Sequence, residues 1–202
     1  MSALLVYNEY KLKRKYIMNQ WNIIEHTFKF REGDSEEKGG CTLIGGTWKD
    51  VHTSELFKNK KIALFSLPGA FTPTCSGQQL PMYDELYQQF KDHGFDDVYC
   101  ISVNDAFVMN AWARDLQIKN VKMIPDGCGT FTRSMGMLVD KPAQGFGMRS
   151  WRYAAIINDG LVEEFFEEPG LNNSSIDEDP YTISSPEDVL SFITASEITK
   201  SL

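Results

Sequence analysis

The stretch LPGAFTPTCSGQQLP, residues 67–81, places a cysteine where a helix is expected to begin. Thr72 is a preferred helix-capping residue, Pro73 suits the first helical position, and Cys75 then falls at the third. A capping hydroxyl reaches the backbone amide of that third residue, so the register sets Thr72 beside Cys75. The unpaired amides of a first turn and the positive end of the helix favour a thiolate over a thiol. Such surroundings lower a cysteine pKa from about 8.5 into a range of about 3.5–7.5. The stretch thus supplies an activated sulfur nucleophile. It contains no histidine, and the chain carries no Cys–His protease signature. The reaction that fits needs a thiolate, a cation and fixed N–H donors around a departing oxygen, as in attack on a peroxide.

Arg152, in SWRYA, is a cation in an apolar setting. It lies among Trp, Tyr, Ala and Ile, where an unpaired guanidinium is costly, so it requires an anionic partner. A thiolate would serve, and one of the many acidic side chains is the alternative. The remaining cysteines, Cys41, Cys100 and Cys128, are widely spaced. Cys100 alternates within an apolar run and is expected to pack in the core. Cys41, in KGGCTLIGG, sits in a turn, and Cys128, in PDGCGT, has no cation close in sequence. There is no Cys-x-x-Cys pair, which excludes dithiol exchange of the thioredoxin type. His26, His52 and His93 make no ligand pair at helical spacing, so no metal site is expected.

These residues must be held by a fold, and the apolar periodicities outline one. KKIALFSL reads as a buried strand ending at Pro68-Gly69, and the helix from Pro73 carries Leu80, Tyr83, Leu86, Tyr87 and Phe90 on one face. Pro81 cannot donate a hydrogen bond to that helix, so a kink is expected there. DVYCISV (97–103) is apolar on both faces, as parallel central strands are. FVMNAWARDLQ reads as a helix, NVKMIPD as a strand and GTFTRSMGM as a short helix. WRYAAIIN (151–158) and LVEEFF (161–166) flank Asp159-Gly160, a hairpin turn signal. A last helix begins with Ser185 as cap, Pro186 in the first position and Asp188 in the third. Strands alternating with helices, followed by a hairpin, give an α/β domain with a mixed sheet. The acidic runs EEFFEE and DEDP read as solvated faces and loops.

The 202 residues suit one domain, and the formal net charge is −8. That balance argues against nucleic acid and against an anionic membrane surface as partners. Residues 1–18 hold four basic groups and one acid, a net +3, which leaves −11 on residues 19–202. Residues 1–18 lack secretory-signal features and are expected to be an N-terminal extension, either disordered or upstream of a true start at Met18, and residues 19–202 the single domain. No apolar run approaches the ~20 residues of a membrane span. Free thiols without a secretory signal point to a reducing, cytoplasmic setting.

Pro68, Thr72 and Cys75 form the pattern P-x-x-x-T-x-x-C, and the segments PGAFTPTCS, ISVNDAFVMNAW and GMRSWRYAAIINDG follow one another along the chain. In these residues, and over about residues 22–200, the chain resembles the type II, peroxiredoxin-5-like subfamily of the peroxiredoxins. The resemblance implies a thioredoxin-like fold, a central mixed β-sheet flanked by helices. It makes Cys75 the peroxidatic cysteine, Thr72 the hydroxyl that contacts it, Arg152 the arginine that holds thiolate and peroxide, and Pro68 the residue that shapes the loop and shields the sulfur. It further implies a thiol-dependent peroxidase acting on hydrogen peroxide or alkyl hydroperoxides, with no cofactor. The non-enzymatic alternative is a peroxide sensor that relays oxidation to a partner protein. The implied reductant is glutathione with glutaredoxin, or thioredoxin. The implied assembly is a homodimer, with Phe71, Phe107 and Met148 near the contacting loops. Two positions depart from the pattern. Gln79 stands where many members have histidine, and Asn173 where animal members have a resolving cysteine, while Cys100 matches the second cysteine of plant members. Recycling by an external small thiol is therefore expected, with glutathione favoured for access.

Overall fold

The structure, a computed structural model, describes residues 20–36, 43–171 and 179–200. Residues 1–18, Cys41 and Asn173 lie outside the described residues.

Six strands form the central sheet: β1 (Trp21–Asn22), β4 (Lys61–Ser66), β5 (Asp97–Ser102), β6 (Lys122–Pro125), β9 (Tyr153–Asn158) and β10 (Leu161–Glu167). Their order is β1-β10-β9-β4-β5-β6. β4, β5 and β6 run parallel, while β9 is antiparallel to both β4 and β10. The sheet is mixed, as the alternation of elements requires. β5 lies between two parallel neighbours, and all its residues after Asp97 are buried, which is why both of its faces are apolar. Asp159 and Gly160, at φ 49° and 79°, make the tight turn from β9 to β10, the left-handed pair that a two-residue hairpin needs.

Side chains along β4 divide by the period of two. Ile62 and Leu64 enter one apolar cluster with Phe28, Phe57 and Phe131, under helices α1 (Thr53–Phe57) and α5 (Thr130–Ser134). Ala63 and Phe65 face the other cluster, with Leu80, Tyr83, Phe90, Trp112 and Ile193. That second face is covered by α2 (Leu80–Glu85), α3 (Tyr87–Asp92), α4 (Ala106–Asp115) and α6 (Pro186–Lys200). Cys75 and Cys100 both belong to it. The start of α6 follows its sequence signals. The Asp188 amide donates to Ser185 Oγ at 3.1 Å, and that hydroxyl lies 2.6 Å from Asp188 Oδ2.

Two antiparallel pairs have no counterpart in the sequence reading. β2 (Thr27–Glu36) pairs with β3 (Leu43–His52), and β7 (Leu138–Lys141) with β8 (Gly147–Ser150). They stand apart from the main sheet, so each lacks the continuous apolar run of a central strand. β2 and β3 instead carry cross-strand charges, Lys29 with Asp50 at 2.7 Å and Lys49 with Glu32 at 3.0 Å.

Candidate active site

The loop after β4 delivers Cys75. Pro68 is buried where this loop leaves the sheet. The Ala70 amide donates to Asn104 Oδ1 at 3.0 Å, and the same oxygen accepts from Ser102 Oγ at 2.7 Å, which ties the loop to the end of β5. Phe71 holds a φ of 61°, a left-handed conformation that costs a non-glycine residue on the order of 1–3 kcal/mol. The reversal there turns the chain directly into the helix.

Thr72 stands at the helix start, its carbonyl accepting from the Ser76 amide at 2.9 Å. Its hydroxyl does not cap as the register predicts. It donates to the Gly69 carbonyl at 2.8 Å, because the reversal at Phe71 brings that carbonyl within reach. Cys75 opens a π-helical turn, Cys75–Gln79, closed by a bond from the Leu80 amide back to the Cys75 carbonyl. Pro81 has no amide for the Gly77 carbonyl, and the wide turn just ahead of it takes up the mismatch. The irregularity expected at Pro81 thus lies upstream of it, and α2 runs on to Glu85.

Cys75 is fully buried, and so is Arg152, which immediately precedes β9 rather than lying inside it. The Arg152 guanidinium donates from Nη1 to Cys75 Sγ at 3.7 Å. The same nitrogen bonds Gln79 Oε1, one helical turn beyond the sulfur. Nη2 is ion-paired with Asp179, and Arg152 Cζ lies over the Tyr181 ring, 5.4 Å from its centroid. Ser76 is fixed by the Trp112 indole, which donates to its Oγ at 3.0 Å. The structure therefore brings Cys75, Arg152 and the Thr72 loop together across 77 residues of sequence.

Three participants escaped the sequence reading. Gln79, which the motif marks only as a departure from a pattern, is a direct partner of Arg152. Asp179, assigned to a solvated loop, supplies the fixed carboxylate. Glu168, assigned to a solvated face, is fully buried. It accepts from the Thr182, Ile183 and Ser184 amides and from the Thr182 and Ser184 hydroxyls. Burial works to raise its pKa, but these donors outweigh it and hold the carboxyl below its ordinary value. A carboxylate two residues past Phe166, followed later by Thr-x-Ser, carries no local signal of such a long-range contact.

Of the other described cysteines, Cys100 is buried in β5. Desolvation, with a smaller contribution from Cys75, pushes its thiol well above the ordinary value. Cys128 is exposed beside α5.

A buried sulfur at the head of a helix, with a guanidinium against it and a second fixed acceptor beside that cation, can attack an electrophilic oxygen and stabilise the leaving one. Comparison with known proteins gives the same chemistry. The Redoxin family model matches residues 34–179. A peroxiredoxin from Rhizobium etli is 57% identical over 169 residues, covering 84% of this chain and 92% of that protein. The solved Plasmodium falciparum antioxidant protein, a 1-Cys peroxiredoxin, superposes with a TM-score of 0.76 at 38% identity, covering 90% of this chain and 99% of that one. Reduced Prx3 from Vibrio vulnificus, in complex with hydrogen peroxide, superposes with a TM-score of 0.71 at 33% identity, covering 88% and 99%. With a thioredoxin-like fold and relatives at this identity, the chain belongs to the peroxiredoxin family and is a thiol-dependent peroxidase.

Proposed function

We propose that Cys75 is the sulfur that reacts with peroxide and that Arg152, Thr72 and Pro68 complete the site. The observation that carries this is the Arg152 guanidinium against Cys75 Sγ at 3.7 Å, both side chains withdrawn from water. The Cys75 thiolate attacks one oxygen of hydrogen peroxide or an alkyl hydroperoxide. The O–O bond breaks, and its electron pair leaves with the distal oxygen as hydroxide or alkoxide, which takes a proton. Arg152 favours the thiolate before the step and the leaving oxygen during it. The sulfur is left as a sulfenic acid. Thr72 fixes the loop through its bond to Gly69, and Pro68 closes the loop's base against the core.

Recycling then requires two thiols. The first condenses with the sulfenic acid, releasing water, and the second reduces the mixed disulfide. The burial of Cys100 in a central strand supports an external donor, glutathione followed by glutaredoxin, ahead of thioredoxin. The assembly we favour is a homodimer, supported by the exposed apolar side chains Phe71, Phe107, Met148 and Trp48. Free thiols at Cys75, Cys100 and Cys128 support a reducing, cytoplasmic setting.

The test is peroxide consumption with glutathione and glutaredoxin. Cys75→Ser should have no turnover, and Arg152→Met should be slower by about 10²–10³. The triple variant Cys41→Ser, Cys100→Ser, Cys128→Ser should keep most of the wild-type rate. Loss of turnover in folded Cys100→Ser, with a Cys75–Cys100 disulfide in the wild type by mass spectrometry, would overturn the external-thiol route.

A further inference from the structure

The cation of this site has a second anionic partner besides the sulfur. Arg152 is fully buried, and its described acceptors are Cys75 Sγ, Gln79 Oε1 and Asp179 Oδ2. Of these, Asp179 alone carries a charge that the reaction does not consume. Each time the thiolate becomes a sulfenic acid or a mixed disulfide, its negative charge is lost, and a buried guanidinium without a counterion is costly. We propose that Asp179 is a positioning residue for Arg152, holding the guanidinium in plane and in charge balance through the catalytic cycle. The inference rests on the assignment of Arg152 to the peroxide reaction.

The surroundings of Asp179 are built to place it. Glu168 fixes Thr182, Ile183 and Ser184, the strip that begins three residues past Asp179. Tyr83 donates to the Ser184 carbonyl at 2.9 Å, securing the same strip to the helical face. The Glu168 amide donates to the Arg152 carbonyl at 3.2 Å, so one residue anchors both the arginine's backbone and the segment bearing its carboxylate. Between them, Pro180 restricts the chain and Tyr181 lays its ring against the guanidinium. Asp179 bonds Nη2, leaving Nη1 to the sulfur and Gln79. That division directs one edge of the fork at the reacting atom, and a guanidinium held at two points keeps its orientation better than one held at one.

The experiment measures the second-order rate of Cys75 oxidation by hydrogen peroxide in the full chain, with folding checked by circular dichroism. Asp179→Ala should react about tenfold more slowly, the scale expected for a misplaced catalytic group. Asp179→Glu, which keeps the charge on a side chain with room at the surface, should recover most of that loss. In an Arg152→Met background, Asp179→Ala should cost nothing further. If Arg152→Met is slow while Asp179→Ala matches wild type, this inference fails and the site assignment stands. If Asp179→Ala slows the reaction equally in both backgrounds, it acts by another route and the inference also fails. A normal rate in Arg152→Met would instead remove the site assignment itself.

Discussion

Cys75 and Cys100 are both buried and sit in the same apolar cluster, yet their surroundings assign them different chemistry. Cys75 faces a guanidinium, whereas Cys100 is enclosed by the β5 strand and its neighbours, and desolvation keeps it a thiol. Cys128 is exposed. In native protein whose Cys75 has been replaced by serine, an alkylating reagent is expected to label Cys128 well before Cys100, as read by peptide mass spectrometry. Equal labelling would show that β5 opens readily, which would restore Cys100 as a candidate partner for the sulfenic acid. The strained φ at Phe71 belongs with these local devices, since it is the bend that aims the helix start at Arg152.

Short segments rather than long ones decide how the site is held. Glu168 has its pKa depressed by the donors around it, so its contribution to stability is fully present above the unfolded carboxyl value and is lost as pH falls through the lower folded value. Glu168→Gln, which turns an amide group toward these donors, is expected to destabilise by about 2–4 kcal/mol at pH 7. The gap from wild type should narrow below about pH 4, where the wild-type carboxyl in the unfolded chain is protonated. Chemical denaturation at several pH values checks both the size and the sign. At the other end of the same segment, Ser185 caps α6. Ser185→Ala is expected to cost about 1 kcal/mol with peroxide turnover unchanged, because the cap supports the helix and not the arginine.

Across the molecule, Phe71, on the loop that carries Cys75, is an exposed apolar side chain, as are Trp48, Phe107 and Met148. Trp48 and Phe107 meet edge to face at 5.5 Å, with the Arg31 guanidinium over both rings, while Phe71 lies 6.4 Å from Trp112. If this face joins two copies, the reduced protein should sediment as a dimer at micromolar concentration, and Phe71→Glu combined with Met148→Glu should yield monomer. Monomeric wild type would remove the dimer. Residues 1–18 differ from the rest of the chain in charge. A protein beginning at Met18 should retain wild-type peroxide turnover with glutathione and glutaredoxin, and a large loss would place those residues in the working enzyme.

Features that depend on neighbours along the chain are legible in the sequence. The buried β4 and β5 strands, the Asp159-Gly160 turn and the Ser185 cap all arise from side-chain period, backbone dihedral preference or a bond three residues away. The helix start before Cys75 is of the same kind, and its motif carried the family. Hydrophobic period reports that a side chain is buried, but it does not say what polar group meets it there. Thus the sequence shows that Arg152 needs an anion, while the choice of Asp179 and Gln79 depends on contacts 27 and 73 residues away. Acidic runs look solvated because most carboxylates are, and Glu168 is the exception because five donors converge on it in space. The Thr72 hydroxyl, offered an amide by its register, took the Gly69 carbonyl that the turn at Phe71 brought closer.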